Sequence, residues 1–103
     1  MKLRLIFINI LILLIFTNLK SDEIFIKGKE IFLNSGNCAT CHSLKDAGSV
    51  ANIGPSLDEI RPVAERVKNA VVNGIGVLPS AMGVLSEDEI DAVSYYVSQS
   101  TDN

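Results

Sequence analysis

The stretch that decides the fold is Cys38-Ala39-Thr40-Cys41-His42. Its two thiols are three positions apart, close to one helical turn, and an imidazole follows directly. This C-x-x-C-H spacing is that of covalent c-type haem attachment, in which two thiols add across the haem vinyl groups and the next residue places its imidazole below the iron. His42 is the single histidine of the chain, so it is the sole candidate for the proximal iron ligand.

Three other kinds of site would use some of these residues. A structural zinc site needs four ligands, and beyond Cys38, Cys41 and His42 only carboxylates remain. A thioredoxin-like C-x-x-C belongs to a βαβ unit, which the sequence lacks. A simple disulfide does not use His42. Haem attachment uses all three residues, and an apo structural or thiol-redox module remains as the alternative in which no haem is received.

Helical patterns lie on both sides of the motif. Apolar spacing predicts a first helix over 22–35 with Gly36 as its stop. A second helix is predicted to start at Pro62 and to end at Gly74. The last helix is predicted to begin at a capping box formed by Ser86 and Glu89. Because no segment alternates as a strand, we expect an all-α fold of three to four short helices.

Such a fold has a small core. The last helix offers one buried stripe, formed by Ile90, Val93, Tyr96 and Val97, and the chain contains no tryptophan. Small exported domains of this kind usually need an additional stabilising element. A disulfide between cysteines three apart would close too short a loop to contribute much. We therefore expect the haem itself to fill the centre, with the helices wrapped around it.

The N-terminus has the pattern of a secretory signal peptide. Two positive charges, Lys2 and Arg4, precede the apolar run 5–16, which only Asn9 interrupts. The run is shorter than the roughly 20 apolar residues of a spanning helix. We expect residues 1–21 to be the signal peptide of a periplasmic protein and 22–103 to be its domain. In the alternative, the leader stays uncleaved and residues 3–19 anchor the protein to the inner membrane.

The charge of the chain excludes one class of partner. The full chain has nine basic and twelve acidic residues and a net charge of −3. A cut after Ser21 would remove three basic residues, Lys2, Arg4 and Lys20, leaving six against twelve, a net charge of −6. Nucleic acid is therefore not an expected partner. An acidic surface favours long-range steering toward a positive patch on a partner protein.

Beyond the motif, the sequence resembles the small bacterial monohaem class I c-type cytochromes over residues 24–98. Gly28-Lys29-Glu30-Ile31-Phe32 is similar to the family's N-terminal helix, whose glycine and aromatic pack against an aromatic of the last helix, a place taken here by Tyr96. The resemblance implies the class I cytochrome c fold and makes 22–103 a cytochrome c domain.

A second segment carries the same resemblance. Ile53-Gly54-Pro55-Ser56-Leu57 is similar to the family segment whose proline carbonyl accepts a hydrogen bond from the proximal histidine. This likeness implies that the Pro55 carbonyl fixes the imidazole through its Nδ1–H and tunes the ligand. It also implies that Leu57 packs on the haem face.

The second axial ligand departs from the family pattern. Family members usually place a methionine before the last helix, most often as Met-Pro eight residues before the capping serine, where this chain has Leu78-Pro79. Met82 is the only methionine besides Met1, and we expect it to ligate the iron through a re-routed loop. In the alternative, Met82 is a core filler and the iron is five-coordinate or bound by water.

The resemblance implies an electron carrier rather than an enzyme. Its expected partners are a periplasmic dehydrogenase, a bc-type complex or a terminal oxidase. Two stretches, Gly54-Pro55 and Gly74-Ile75-Gly76-Val77-Leu78-Pro79, also resemble cytochrome subunits paired with sulfite-oxidising oxidoreductases. Leu78 keeps a second hypothesis open, a haem protein whose open sixth site binds a small gas. Peroxide chemistry is disfavoured because the loop 74–83 contains no His, Arg, Asp or Glu.

Overall fold

The computed structural model describes residues 19–76 and 79–101. Within them the chain forms four helices: α1 over 19–33, α2 over Leu57–Ile60, α3 over Ala64–Asn73 and α4 over Glu87–Ser100. A hairpin of two short antiparallel strands, β1 (Ser43–Leu44) and β2 (Ser49–Val50), lies between α1 and α2. Single 3₁₀ turns cover Cys38–Thr40 and Lys45–Ala47. The architecture is helical, as predicted, whereas the apolar pattern did not indicate the hairpin.

The N-terminal and C-terminal helices cross at a glycine. A Cβ built on Gly28 would lie 2.2 Å from the Ala92 carbonyl oxygen and 2.5 Å from the Tyr96 Cβ, so only glycine permits this approach. The rings of Phe25 and Phe32 lie edge-on to the Tyr96 ring, with centroids 4.9 and 5.8 Å away. Edge-to-face pairs of this kind add to the energy of burial. The packing predicted for Gly28 and Tyr96 is confirmed.

The last helix begins with the predicted capping box. The Glu89 amide donates to Ser86 Oγ at 3.2 Å, and the Ser86 amide donates to the Glu89 carboxylate at 2.9 Å. The four predicted stripe residues are all buried. Together with Ile31, Phe32, Leu44, Leu85 and Ala92 they form the buried core of the described residues. The core therefore lies between α1, α4 and the segments that follow the motif.

Three helix boundaries differ from the prediction. α1 is described from 19, three residues earlier than predicted, and ends at Leu33, where the Gly36 amide bonds to the Ile31 carbonyl oxygen at 2.8 Å. α3 begins at Ala64 rather than Pro62, because Val63 is extended and occupies the N-cap position. Pro62 is buried immediately before the helix. Gly74 ends α3 as predicted, with a positive φ of 76°.

The N-terminal prediction falls mostly outside the described residues. Of the expected leader, residues 1–18 lie outside them, and 19–21 form the start of the described part of α1. Among residues 19–76 and 79–101, no helix has both the length and the apolar character needed to span a membrane.

Candidate haem site

The motif Cys38–His42 is wound into a compact turn. Asn37 precedes it in the left-handed conformation, with φ 56°, and the amides of Cys41 and His42 both donate to the Cys38 carbonyl oxygen, at 3.2 and 3.0 Å. This winding places the two cysteines at the two ends of one turn. Both are free thiols in the structure. Two free thiols so placed are the nucleophiles that thioether attachment requires.

The His42 ring is held from two sides. Its Nδ1 lies 2.8 Å from the Pro55 carbonyl oxygen, and with that bond made through Nδ1–H the basic nitrogen is Nε2. A Cβ on Gly54 would lie 2.6 Å from the ring's Cε1, so the Gly54 backbone is in close contact with the imidazole. The Gly54 amide also donates to the Cys41 carbonyl oxygen at 2.8 Å. Within the described residues, Nε2 has no hydrogen-bond partner and is available to a metal.

The environment of Cys38 does not suit thiol-redox chemistry. Burial raises the pKa of the Cys38 thiol to about 11, against a weaker lowering by a backbone hydrogen bond. Its Sγ lies 3.6 Å from the Gly36 carbonyl oxygen. A redox-active C-x-x-C pair instead has a thiol pKa below its usual value. The described residues also bring together no group of three or more His, Cys, Asp or Glu side chains able to hold a metal ion.

The hairpin β1–β2 connects the motif to the rest of the chain. Ser49 Oγ on β2 donates to the His42 carbonyl and lies 3.2 Å from the Ala39 carbonyl oxygen. The Lys45 amide donates to the Asp58 carboxylate of α2 at 2.9 Å. The segment carrying Pro55 is therefore joined to the segment after His42 at two points, the imidazole and this carboxylate.

A buried tyrosine fixes the other side of the hairpin. The Tyr96 hydroxyl donates to the Asp46 carboxylate at 2.7 Å, and the Lys29 ammonium lies 3.4 Å from the same oxygen. Burial, followed by this hydrogen bond to the Asp46 carboxylate, raises the pKa of the Tyr96 hydroxyl far above its usual value. The hydroxyl thus remains a donor at physiological pH, and α1, α4 and the hairpin meet at one carboxylate.

The loop that carries Met82 is attached to the end of α3. The last carbonyls of a helix have no partner within the helix, and here the Ala81 amide donates to the Val71 carbonyl oxygen at 2.8 Å and Ser80 Oγ to that of Val72 at 2.5 Å. The buried Leu85 anchors the far side of the loop. Between these anchors the Met82 side chain is 65% exposed. Whether it ligates iron or fills the core stays a prediction. Leu78 lies outside the described residues.

The donor set and its surroundings fit a covalently bound haem. Two free thiols, an imidazole with a free Nε2 and an exposed thioether are the groups that c-type haem attachment and iron ligation use. Leu57 begins α2 and packs, half-buried, against the core. Ile53 and Val84, on the Pro55 and Met82 loops, are each 73% exposed. Apolar side chains of that size are stabilised by contact with a flat apolar group.

Sequence reasoning missed several residues around His42. The signal that could have indicated Gly54 is a glycine directly before Pro55, which is typical of close backbone approach. Ser49, Asp46 and Asp58 carry no sequence signal, because their partners lie up to 50 positions away. The structure brings Cys38, Cys41, His42 and Pro55 together, while the roles of these residues, Leu57 and Met82 toward the haem stay predictions.

Comparison with known proteins decides the family. The family model described as cytochrome c oxidase, cbb3-type, subunit III matches residues 25–97. Cytochrome c6 from Cladophora glomerata is 36% identical over 81 residues, which are 73% of this chain and 87% of that protein. The chain belongs to the small monohaem class I c-type cytochromes.

Two further comparisons support the assignment of the chain to this family. Cytochrome c6 from Euglena gracilis is 37% identical over 78 residues, 68% of this chain and 85% of its own. The crystal structure of the c-type cytochrome SorU from Sinorhizobium meliloti superposes with a TM-score of 0.73 at 49% identity, covering 76% of this chain and 91% of that one. The class I fold and the electron-carrier function follow, and the two cysteines, Cys38 and Cys41, fit one covalently bound haem c.

Proposed function

We propose that this cytochrome carries single electrons between protein partners in the periplasm, with His42 and Met82 as the axial ligands of its haem. The observation that supports this proposal best is the 2.8 Å contact between His42 Nδ1 and the Pro55 carbonyl oxygen. A ligating histidine characteristically donates its other ring N–H to such a partner, which fixes the tautomer and raises the basicity of the ligand. His42 is therefore oriented as a proximal ligand would be.

Each residue of the site has a defined task. When bound, the haem supplies an iron that gains and loses one electron. Cys38 and Cys41 would hold it through thioethers, each formed by addition of S–H across a vinyl C=C bond, so that no oxidant is needed. His42 would ligate through Nε2, and the Pro55 carbonyl would keep its ring from turning. The chain thus positions the redox centre and sets its potential without making or breaking a substrate bond.

Met82 is proposed as the second axial ligand. Its loop is held at Ala81 by the Val71 carbonyl and at Leu85 by burial, so the position of the loop does not depend on the methionine itself. The side chain remains exposed between these anchors and free to turn toward a bound group. A Met/His pair raises the reduction potential and suits electron transfer.

The signal-like leader supports a periplasmic location, and the charge supports one kind of partner surface. The signal-like residues 1–21 favour export to the periplasm. The net charge of −6 after Ser21, from six basic and twelve acidic residues, favours docking to a positive patch. From the resemblance to the small bacterial c-type cytochromes, we propose a dehydrogenase, a bc-type complex or a terminal oxidase as its partners.

The ligand assignment is tested by absorption spectra of the purified holoprotein, wild type and Met82→Ala, in both oxidation states. We expect a low-spin wild type and a high-spin variant, because alanine leaves the sixth position without a thioether. Val84→Ala, which removes another exposed apolar side chain from the same loop, is the matched control and should stay low-spin. A low-spin Met82→Ala spectrum identical to that of the wild type would contradict the assignment.

A further inference from the structure

We propose that Ser49 is a positioning residue for the proximal histidine. The inference rests on the proposed ligand role of His42 and concerns its main chain, whereas the Pro55 contact concerns its ring. Ser49 Oγ donates to the His42 carbonyl and lies 3.2 Å from the Ala39 carbonyl oxygen. One hydroxyl therefore contacts the motif near both of its ends.

The position of Ser49 is set by the hairpin. Ser49 is the register partner of Leu44, a fully buried residue of β1, and Gly48 makes the turn before it with a φ of 67°. The Lys45–Ala47 turn between the strands is held at Asp46 by Tyr96 and at the Lys45 amide by Asp58. A buried residue and two carboxylate contacts thus fix the serine relative to the motif.

The hydroxyl is well placed to act on the ligand. Ser49 is half-buried, so solvent competes less for its hydrogen bonds than at an exposed site. The His42 carbonyl is three bonds from the side chain's Cβ, so holding it limits rotation of the main chain that would carry the ring away from Pro55. Without this contact we expect the Nδ1–H to meet the Pro55 carbonyl less well.

The direction of the effect on the reduction potential follows. A weaker hydrogen bond from Nδ1–H lowers the basicity of Nε2. When the ligand becomes less basic, ferric iron loses more stabilisation than ferrous iron does. The reduction potential of a variant lacking the hydroxyl should therefore shift upward. The haem-methyl resonances of the ferric protein, which depend on the orientation of the imidazole plane, should shift with it.

The test compares holoprotein carrying Ser49→Ala, Ser49→Thr and Ser43→Ala with the wild type. Ser43 lies on β1 of the same hairpin, is half-buried and makes no side-chain hydrogen bond within the described residues, so it is a matched control. We expect a raised potential and a changed haem-methyl pattern in Ser49→Ala alone. Ser49→Thr keeps a hydroxyl and should restore both wild-type values.

Loss of stability alone is controlled separately. Ser86→Ala removes the cap of α4, whose bonds involve only Ser86 and Glu89, and should lower the unfolding temperature without moving the potential or the haem-methyl pattern. If Ser49→Ala yields too little holoprotein, restoration of the yield by Ser49→Thr supports the role of the hydroxyl. A threonine variant that fails as the alanine variant does would overturn it.

The remaining outcomes separate this inference from the proposed function. Unchanged potential and methyl resonances in Ser49→Ala, or a downward shift, would overturn the role of Ser49 while a histidine-ligated wild-type spectrum leaves the proposed function intact. A wild-type spectrum without a histidine-ligated haem would instead overturn the proposed function, and the inference with it.

Discussion

At the scale of single residues, the structure holds His42 through three residues from two segments. Pro55 accepts a hydrogen bond from the ring, Gly54 is in close contact with the ring and the Ser49 hydroxyl donates to its main-chain carbonyl. A ligand held by several neighbours needs little rearrangement when the charge of its metal changes. An electron carrier requires such a small rearrangement, because it binds no substrate whose binding energy could offset the cost of a larger one.

Gly54→Ala tests the packing around the ring. An added Cβ would lie 2.6 Å from the His42 Cε1, and the φ of Gly54 is not in the left-handed region, so the substitution probes contact rather than backbone strain. We expect the imidazole to be displaced and the holoprotein to show a partly high-spin ferric spectrum. Asn52→Ala, an exposed neighbour, should retain the wild-type spectrum.

A Gly54→Ala spectrum like that of the wild type, at an undiminished haem content, would show that the ring tolerates a methyl group there. In that case Gly54 would have no part in orienting His42. Haem content is measured from the ratio of bound haem to protein in the purified sample.

Much of the residue-level site is readable in the sequence. The spacing of Cys38, Cys41 and His42 predicts the haem site directly, because thioether formation and iron ligation need these side chains in this order. The role of Ser49 cannot be predicted from the sequence. A serine hydroxyl can bond to any nearby carbonyl, and which carbonyls lie near it depends on the fold of the hairpin. Met82 is an intermediate case. The sequence predicts that its thioether can ligate iron, but it does not predict the position of the loop that carries it.

At the scale of elements, the close packing of α1 against α4 is the contact that we expect to stabilise the fold most. Gly28→Ala should lower the free energy of unfolding by about 1–3 kcal/mol, the usual range for overpacking, because the new methyl group meets the Ala92 carbonyl oxygen at 2.2 Å. Chemical denaturation followed by circular dichroism measures this change. Ile26→Ala on the same helix removes a side chain that is 65% exposed and should change stability much less. Equal effects of the two variants would contradict the close crossing.

The cap of α4 makes part of the stability depend on pH. Hydrogen bonding to Ser86 lowers the pKa of the Glu89 carboxyl below its usual value. Its contribution is therefore present above the ordinary glutamate pKa of about 4.3 and is lost as the pH falls through the lower folded-state pKa. Glu89→Gln should be less stable than the wild type at pH 7 and should lose less stability on acidification.

Thermal unfolding of the two proteins between pH 7 and pH 3 measures this difference. Asp88→Asn is the control, since the Asp88 carboxylate lies in the same first turn and makes no hydrogen bond within the described residues. If the unfolding temperatures of Glu89→Gln and the wild type fell in parallel with pH, the cap would not be the source of the dependence.

Helix positions were predicted better than helix ends. The Ser86–Glu89 box and Gly74 are local signals, satisfied within one or two turns, and both were read correctly. The sequence predicts Pro62 as the first residue of α3, but the helix starts at Ala64 because the intervening Val63 is extended. Nothing in the local sequence distinguishes these two starts. The hairpin is too short to produce an alternating pattern, so its strands could not be predicted.

At the scale of the whole molecule, the proposed periplasmic location depends on residues 1–21 acting as a signal peptide. We expect the chain produced with its own leader to be recovered from the periplasm and to begin at Asp22, because the cut after Ser21 follows the apolar run. Intact mass of the holoprotein from a periplasmic extract measures both cleavage and haem attachment. Replacing Lys2 and Arg4 by Glu should retain the protein in the cytoplasm. A mature mass that includes residues 3–19 would favour the anchored alternative.

The need for a large central group was the strongest whole-molecule prediction. Three short helices, long loops, no tryptophan and a C-x-x-C-H motif together predict one. The path of the loop from α3 to α4 could not be predicted, because it depends on the Val71 and Val72 carbonyls at the end of α3 and not on its own pattern. That loop decides whether the sixth position of the iron is filled.

The most direct test of a filled sixth position is the addition of carbon monoxide to the ferrous wild-type holoprotein at neutral pH. If Met82 ligates the iron beside His42, the ferrous spectrum should remain low-spin and unchanged when carbon monoxide is added. Rapid conversion to a carbon monoxide complex in the native protein would contradict ligation by Met82 and would favour a haem protein that binds small gases.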